Sequence, residues 1–268
     1  MIEKKILVIM GSPRKGNTYR ACDELRGALE KELAVEFEYL WLTDAALLPC
    51  RGCGACFVNG EDRCPIRDDA ALIVQKMQNA DGVVFASPVY GMNVTGQMKS
   101  FIDRLSFNFH RPQFFEKKAL LLATAGMLGH GVVLKYPGMV ARQWGFEVAG
   151  SAGIVTPDPL PPHRASKNRE VITRAAAEFA GALRRPARRS PGLRDVVMFH
   201  GQRAAFSQME SVFPADHRFW TEKGWFGRDA RYFVDVPVNP LYHAIGKAVG
   251  WLSTRQMRKD LVAEGGGA

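Results

Sequence analysis

The sequence predicts a doubly wound, three-layer α/β fold: a five-stranded parallel sheet covered by helices on both faces, followed by a mainly helical C-terminal extension. Two observations carry this expectation. Short apolar runs alternate regularly with amphipathic stretches of helical period over about the first 180 residues, the rhythm of repeated strand–helix–strand units. The runs are nearly continuous rather than alternating, as required of strands buried on both faces.

Lys5 to Met10 (KILVIM) is the first strand, rich in β-branched residues, and a polar Gly-containing loop follows it. Tyr19 to Leu33 repeats Leu25, Leu29 and Leu33 on one helical face. Val35 to Leu42 is the second strand. After a cysteine-bearing segment, Asp68 and Asp69 stand where an N-cap and a first-turn acid belong, opening a helix through Leu72, Val74 and Met77. Gly82 to Ala86 is the third strand, with Gly96 to Phe107 the helix behind it. Lys118 to Thr124 is the fourth strand, His130 to Trp144 a helix, Glu147 to Val155 the fifth strand and Ser166 to Leu183 the closing helix. This places a first domain over residues 1–183 and the extension over 184–268. The extension holds a helix-like run from Leu193 to Met209, an aromatic stretch from Phe219 to Phe233 and a second helix-like run from Leu241 to Leu261, before a closing GGGA that reads as a frayed end.

Composition is that of a globular chain, 47% hydrophobic and 24% charged. No apolar run is long enough to span a bilayer, and the chain passes from Met1 through charges straight into a strand, so the expectation is no secretory signal and a cytoplasmic location. Of the net charge of +9, +6 lies from Gly181 onward, where 14 lysines and arginines face 8 acids. Arg184, Arg185, Arg188 and Arg189 open that region; with no nucleic-acid motif beside them they read as a solvated helix end and linker. Leu241, Ile245, Val249 and Leu252, set against Lys247, Arg255, Arg258 and Lys259, suit helix docking or dimerisation better than a membrane surface.

In doubly wound sheets ligands bind beyond the carboxyl ends of the strands, which directs attention to the loops after strands one, three and four. The first is Gly11-Ser12-Pro13-Arg14-Lys15-Gly16-Asn17-Thr18. It has the parts of a phosphate cradle: helix-opening backbone amides, hydroxyl and amide side chains at Ser12, Asn17 and Thr18, and Arg14 for a dianion. Its spacing matches neither the Walker loop nor GxGxxG, which disfavours a nucleotide triphosphatase and a dinucleotide fold of that type.

GSPRKGNT resembles the FMN phosphate loop of the NADPH-dependent FMN reductase and iron–sulfur flavoprotein families, and Ala80 to Leu105 (ADGVVFASPVYGMNVTGQMKSFIDRL) resembles their second flavin-binding segment and following helix. The likeness runs through residues 1–180 and implies a flavodoxin-like arrangement of the sheet. It implies that Ser12, Arg14, Gly16, Asn17 and Thr18 hold the FMN phosphate. Pro88, Val89, Tyr90, Gly91, Met92 and Asn93 would lie against the isoalloxazine ring, with Thr124, Ala125, Gly126 and His130 at its flank. It also implies NAD(P)H as co-substrate, a small-molecule or protein redox partner, and a homodimer or tetramer. A flat ring with a polar edge agrees with these residue types, since Gly91 and Gly126 admit close backbone donors and Tyr90 or Met92 offers a wall. No carboxylate pair or Ser-His-Asp order stands out, and no side chain is assigned as catalytic; hydride transfer to a flavin needs positioning rather than an acid–base pair.

Four of the five cysteines fall at Cys50, Cys53, Cys56 and Cys64, the last followed by proline. Successive x2 spacings with Gly52 and Gly54 between them suit four-thiolate iron–sulfur ligation best; reduced or disulfide-prone thiols are the second reading, and zinc is the weakest fit. The segment is similar to the compact cysteine motif of the iron–sulfur flavoproteins, which implies a [4Fe–4S] cluster on these four positions. Cys22, on a helix with apolar neighbours, reads as a buried small hydrophobe; for Lys99, Asp103 and Arg104 the resemblance implies a role at a subunit interface or in helix packing, and a solvated ion-pair face is the simpler reading. The expected activity is FMN-dependent electron transfer of the iron–sulfur flavoprotein type; a cluster-free NAD(P)H-dependent FMN or quinone reductase and a non-catalytic electron carrier are the alternatives.

Overall fold

The computed structural model describes residues 3–265, with side chains as far as residue 257. Met1, Arg258, Lys259 and most of the closing glycine run, which enter the expectations above, therefore lie outside the described residues or side chains. In chain order the elements are β1 Lys4–Met10, α1 Asn17–Glu30, β2 Val35–Trp41, α2 Ala55–Val58, α3 Ala70–Asn79, β3 Gly82–Pro88, α4 Gly96–Arg104, β4 Lys118–Ala125, α5 His130–Gln143, β5 Glu147–Val155, α6 Pro162–Arg184, α7 Leu193–Phe206, α8 Pro214–Glu222 and α9 Pro240–Gly265. The chain divides into two units, Met1–Arg51 with Ile66–Ala187, and Gly52–Pro65 with Arg188–Ala268.

The first unit contains the sheet. All its pairings are parallel and the strand order is β2-β1-β3-β4-β5. The order reverses between β1 and β3, and the crevice at that reversal is where such sheets place their ligands. Register sets the strand ends side by side there: Met10 faces Ala86, and Pro88 faces Thr124. On one face of the sheet, Ile6, Val8, Val84 and Leu120 are sealed by Leu25 and Leu29 of α1 and by Ile172 and Phe179 of α6. Cys22 lies in this layer, fully buried, and burial pushes its thiol pKa up. The other face is aromatic, with Phe85 edge-on to Phe146 and Trp144, and Phe146 stacked on Phe114 at 4.6 Å.

Several expectations are corrected at their edges. The helix expected to run from Gly96 to Phe107 ends at Arg104 and continues as a 3-10 turn over Ser106–Phe109. Asp69 takes the N-cap position of α3 without a side-chain cap bond. Two of the clustered arginines are not simply solvated: Arg184 pairs with Glu32, and Arg185 with the buried Glu147.

The second unit is helical. Its centre is an aromatic cluster in which the buried Phe199 of α7 and Trp220 of α8 stack at 6.0 Å, joined by Trp225 and Phe233. Within the chain, the last helix does not dock through the apolar positions read from the sequence. Leu241, Ile245 and Leu252 face solvent, whereas α9 meets α7 through glycine. A Cβ at Gly246 would lie 2.5 Å from the His200 ring, so the helices approach closely only because that position has no side chain. His200 is buried with Nε2 3.1 Å from Nδ1 of His243. Burial, with His243, Arg203 and Lys247 nearby, brings its pKa down to about 4. Among the described residues no helix is long and apolar enough to cross a membrane.

Candidate functional site

The loops that leave β1, β3, β4 and β5 enclose a cavity of about 520 Å³, within the range of small-molecule sites. Eleven of the sequence-predicted residues line it together: Ser12, Arg14, Gly16, Asn17, Thr18, Pro88, Val89, Tyr90, Thr124, Ala125 and Gly126. Gly91, Met92 and Asn93 sit at the tip of the β3 loop, outside the lining, as does His130.

The β1 loop is held against its neighbours by backbone bonds. Gly11 donates to the Ala86 carbonyl at 2.8 Å, and the buried Thr95 hydroxyl donates to the Gly11 carbonyl at 2.8 Å. A Cβ on Gly11 would come within 3.1 Å of the Ala86 oxygen, so glycine eases this close approach. The Ser12 hydroxyl donates to the Arg14 carbonyl at 2.9 Å, folding the loop back onto itself. Helix α1 then starts after Gly16 with no side-chain cap bond. Its first amides have no intrahelical partner and carry the positive end of the helix dipole. Arg14, Lys15 and Arg20 line the same cavity and no carboxylate does. An anion is therefore the complementary occupant of this end.

The other end is built from uncharged groups. Thr18 and Thr124 share a hydroxyl–hydroxyl bond of 2.7 Å, both side chains buried. The Val89 amide donates to the Thr124 carbonyl at 2.8 Å, which ties the β3 loop to β4. Tyr90 and Asn93 exchange backbone bonds of 2.9 and 3.0 Å. Between them Gly91 and Met92 form a two-residue hairpin tip with φ of +53° and +63°, the positive-φ pair that a type I′ turn demands. Met92 is the one described residue other than glycine with positive φ, and such strain gathers at ligand-binding loops. Tyr90 and Met92 are exposed, as are Met127 and Leu128 of the β4 loop.

Sequence reasoning missed Arg20 and Thr156. Arg20 lies one turn inside α1, on the face that Gly16 opens, a spacing visible in principle. Thr156 enters because β5 runs beside β4, and its hydroxyl accepts from Asn17 Nδ2 at 3.0 Å. Only the strand order could have pointed to it.

The cysteine segment is distributed differently. Cys50 belongs to the first unit, Cys53, Cys56 and Cys64 to the second. Within the second, Gly52 and Gly54 bend the chain with φ of +64° and +71°, and Phe57 of α2 packs edge-on against Phe213. No disulfide joins the described cysteines, and no group of three or more His, Cys, Asp or Glu among the described residues is gathered for a metal.

The residues leading into and out of this segment meet in the first unit, and of the two readings of Arg104 the solvated one is corrected in favour of packing. Lys99 and Asp103 do form an exposed pair at 2.6 Å. Arg104, by contrast, is buried and grips Asp68 with both arms of its guanidinium, at 2.8 Å each. Its helix turns it inward, away from Lys99 and Asp103. Burial would raise the Asp68 carboxyl, but the Arg104 bonds, the Leu48 and Ala70 amides and the Arg104 charge hold it below the usual carboxylate range.

The family model for NADPH-dependent FMN reductase matches residues 4–141. An iron–sulfur flavoprotein of Archaeoglobus fulgidus is 31% identical over 223 residues, covering 82% of this chain and 99% of the relative. Iron–sulfur flavoproteins of Methanocaldococcus jannaschii and Methanosarcina thermophila are 43% and 40% identical over 37% of this chain, each across 51% of its own length. Among solved structures, RosB bound to 8-demethyl-8-formylriboflavin-5'-phosphate superposes with a TM-score of 0.54 at 17% identity, covering 89% of this chain and 92% of that one, a likeness of fold.

Proposed function

Because this chain belongs to the NADPH-dependent FMN reductase family and is an FMN-dependent oxidoreductase, we propose that the cavity at the strand ends is its FMN site. The observation that carries this reading is the uncapped start of α1, ringed by Arg14, Lys15 and Arg20 with no carboxylate in the lining. A phosphate dianion fits that end, and the Gly11 cradle keeps the backbone close enough to serve it. Ser12, Gly16, Asn17 and Thr18 complete the phosphate end. Pro88, Val89, Tyr90, Thr124 and Gly126 take the ring end, with Gly91, Met92 and Asn93 as the turn that presents it. Bound FMN supplies hydride acceptance from a donor such as NAD(P)H and release of electrons to an acceptor. The chain's own part is to bind, orient and shield; no side chain is required to move a proton.

In this reading the cysteine loop holds a [4Fe–4S] cluster on Cys50, Cys53, Cys56 and Cys64. Its support is the donor chemistry: four thiols outside any disulfide, on a glycine-bent loop, in a chain whose relatives are named iron–sulfur flavoproteins. Thiolates gather only when a metal offsets their mutual repulsion, so an unassembled loop is compatible with ligation. The setting would be cytoplasmic and reducing. The exposed Tyr90, Met92, Met127 and Leu128 favour a homodimer or tetramer, with a small molecule or a protein as redox partner and no membrane or nucleic acid. A second reading, a cluster-free reductase, is favoured by the ungathered cysteines.

The deciding experiment is iron, acid-labile sulfide and flavin per chain after anaerobic purification and reconstitution. About four irons and four sulfides per FMN support the first reading; flavin without either supports the second. For the FMN site, Arg14→Ala should weaken FMN binding by about tenfold or more, read by quenching of flavin fluorescence. Unchanged affinity on replacing both Arg14 and Ser12 would overturn the assignment.

A further inference from the structure

Helix α9 of the second unit inverts the usual arrangement of a helix at a protein surface. Towards α7 it presents its smallest residues: a Cβ at Gly246 would lie 2.5 Å from the His200 ring, and one at Gly250 would lie 2.9 Å from the His200 carbonyl oxygen. These contacts fix the rotation of α9, since neither position has room for a side chain. At about 100° per residue the opposite face then carries Leu241, Ala244, Ile245, Ala248, Trp251 and Leu252, and all six are exposed. Leu241, Trp251 and Leu252 keep 64, 61 and 57% of their surface in water. A single exposed leucine needs no explanation, whereas a contiguous apolar stripe along one helix marks a surface that something covers. The charge beside the stripe has one sign. Lys247 and Arg255 are exposed there, and the Arg255 guanidinium lies 5.6 Å from the Trp251 ring centre. From Pro240 to Lys259 the sequence contains no Asp or Glu.

We propose that this face of α9 rests on an anionic bilayer surface, with the stripe sunk among the lipid headgroups and Lys247 and Arg255 paired with their anionic groups. The helix lies on the bilayer and does not cross it, as no helix among the described residues is long and apolar enough to do so. Charge selects this occupant. A second copy seated on the stripe would set cations against cations, on a chain that already carries +6 from Gly181 onward, whereas an anionic surface is complementary. Side-chain type selects a bilayer among anionic surfaces. A tryptophan ring settles at headgroup level, and lysine and arginine lay their apolar stems along the stripe while their charges stay in water. An interfacial helix ordinarily turns a polar face to solvent; here α7 covers that side, so the apolar stripe is the face left free. The exposed side chains of the first unit call for no membrane, and no electron passes through α9. The inference is independent of the FMN and cluster readings. It reverses the order of preference read from the sequence, because the apolar positions lie outside the helix pair rather than within it.

The full chain should be mixed with vesicles of phosphatidylcholine alone and of phosphatidylcholine with about 30% phosphatidylserine, and bound protein read by sedimentation. Trp251 is a built-in probe, because the other four tryptophans are buried or half-buried. We expect binding to the serine-containing vesicles that weakens with salt, tryptophan emission moved to shorter wavelength on binding, and little binding to phosphatidylcholine alone. Trp251→Phe should lose the emission shift. Leu241→Ser/Leu252→Ser should weaken binding on the order of tenfold or more, and Lys247→Gln/Arg255→Gln by about tenfold. Both double variants should keep wild-type melting temperature and FMN content, since the replaced side chains are exposed. Vesicles that sediment no protein, or that bind the two lipid compositions equally, would overturn the proposal. So would double variants that bind as tightly as wild type, since charge elsewhere in the chain would then be responsible. Sedimentation without lipid closes the last alternative: a wild type that self-associates and is dispersed by the two serines would show that a second copy covers the stripe, and would also overturn it.

Discussion

At the residue scale, burial decides what each charged side chain is for. Lys99 and Asp103 are exposed and their pair contributes little, while Arg104 and Asp68, five and one per cent exposed, cannot lose a partner without stranding a charge. Arg104→Ala should therefore destabilise the first unit by about 3–5 kcal/mol in urea unfolding. The pH dependence follows from the depressed Asp68 carboxyl. Its contribution is present above the ordinary carboxylate pKa of about 4 and is lost as pH falls from there through the folded value. Asp68→Asn should remove that acid-limb dependence, and an unchanged acid profile would count against it. Met92 offers a second test. At a φ of +63°, asparagine should be accepted, whereas Met92→Ile should cost about 1–2 kcal/mol.

At the scale of elements, two helices owe their positions to what glycine omits. The β1-to-α1 turn reaches the cavity because Gly11 has no Cβ against Ala86, and α9 reaches α7 because Gly246 has none against His200. Gly246→Leu should destabilise the second unit by about 1–3 kcal/mol through overpacking, visible in tryptophan fluorescence from Trp220 and Trp225. His200 adds a pH signature to the same contact. Its folded pKa of about 4 lies below the ordinary value near 6.5, so the unfolded chain binds the proton first. Stability of the second unit should fall as pH drops from about 6.5 to about 4 and then level off. His200→Gln should flatten that slope; an equal slope in the variant would assign it elsewhere.

At the scale of the whole molecule, the cavity proposed for FMN lies within one of two units. Ligand linkage should then act unevenly. FMN at about 100 times its dissociation constant adds about 2.7 kcal/mol to the unit that binds it. Thermal unfolding with and without FMN should show that gain in the transition reporting on Trp144, which is buried in the first unit's aromatic layer. The transition reporting on Trp220 should move less. Equal shifts would mean that the chain unfolds as one cooperative body.

The sheet was legible in sequence because burial on both faces leaves no alternative to a continuous apolar run, and KILVIM and KALLLAT carry that mark without any tertiary information. The β1 loop was legible for a related reason: a glycine, a hydroxyl and an arginine between a buried strand and a helix have few uses besides an anion. Eleven of the predicted site residues meet in one cavity on that logic, and the family match sets aside a non-catalytic carrier. Periodicity carries no record of which strands become neighbours, so Thr156 stayed hidden until β5 was seen beside β4. Nor could it show that Arg104 turns inward, that Asp68 takes the Leu48 amide as well as that of Ala70, or that α9 packs through glycine and leaves its leucines to solvent. Local pattern records each residue's own preference for water or for the interior. Partners between distant segments are selected only when the chain closes, and there the geometry of contact outweighs the preference of any single residue.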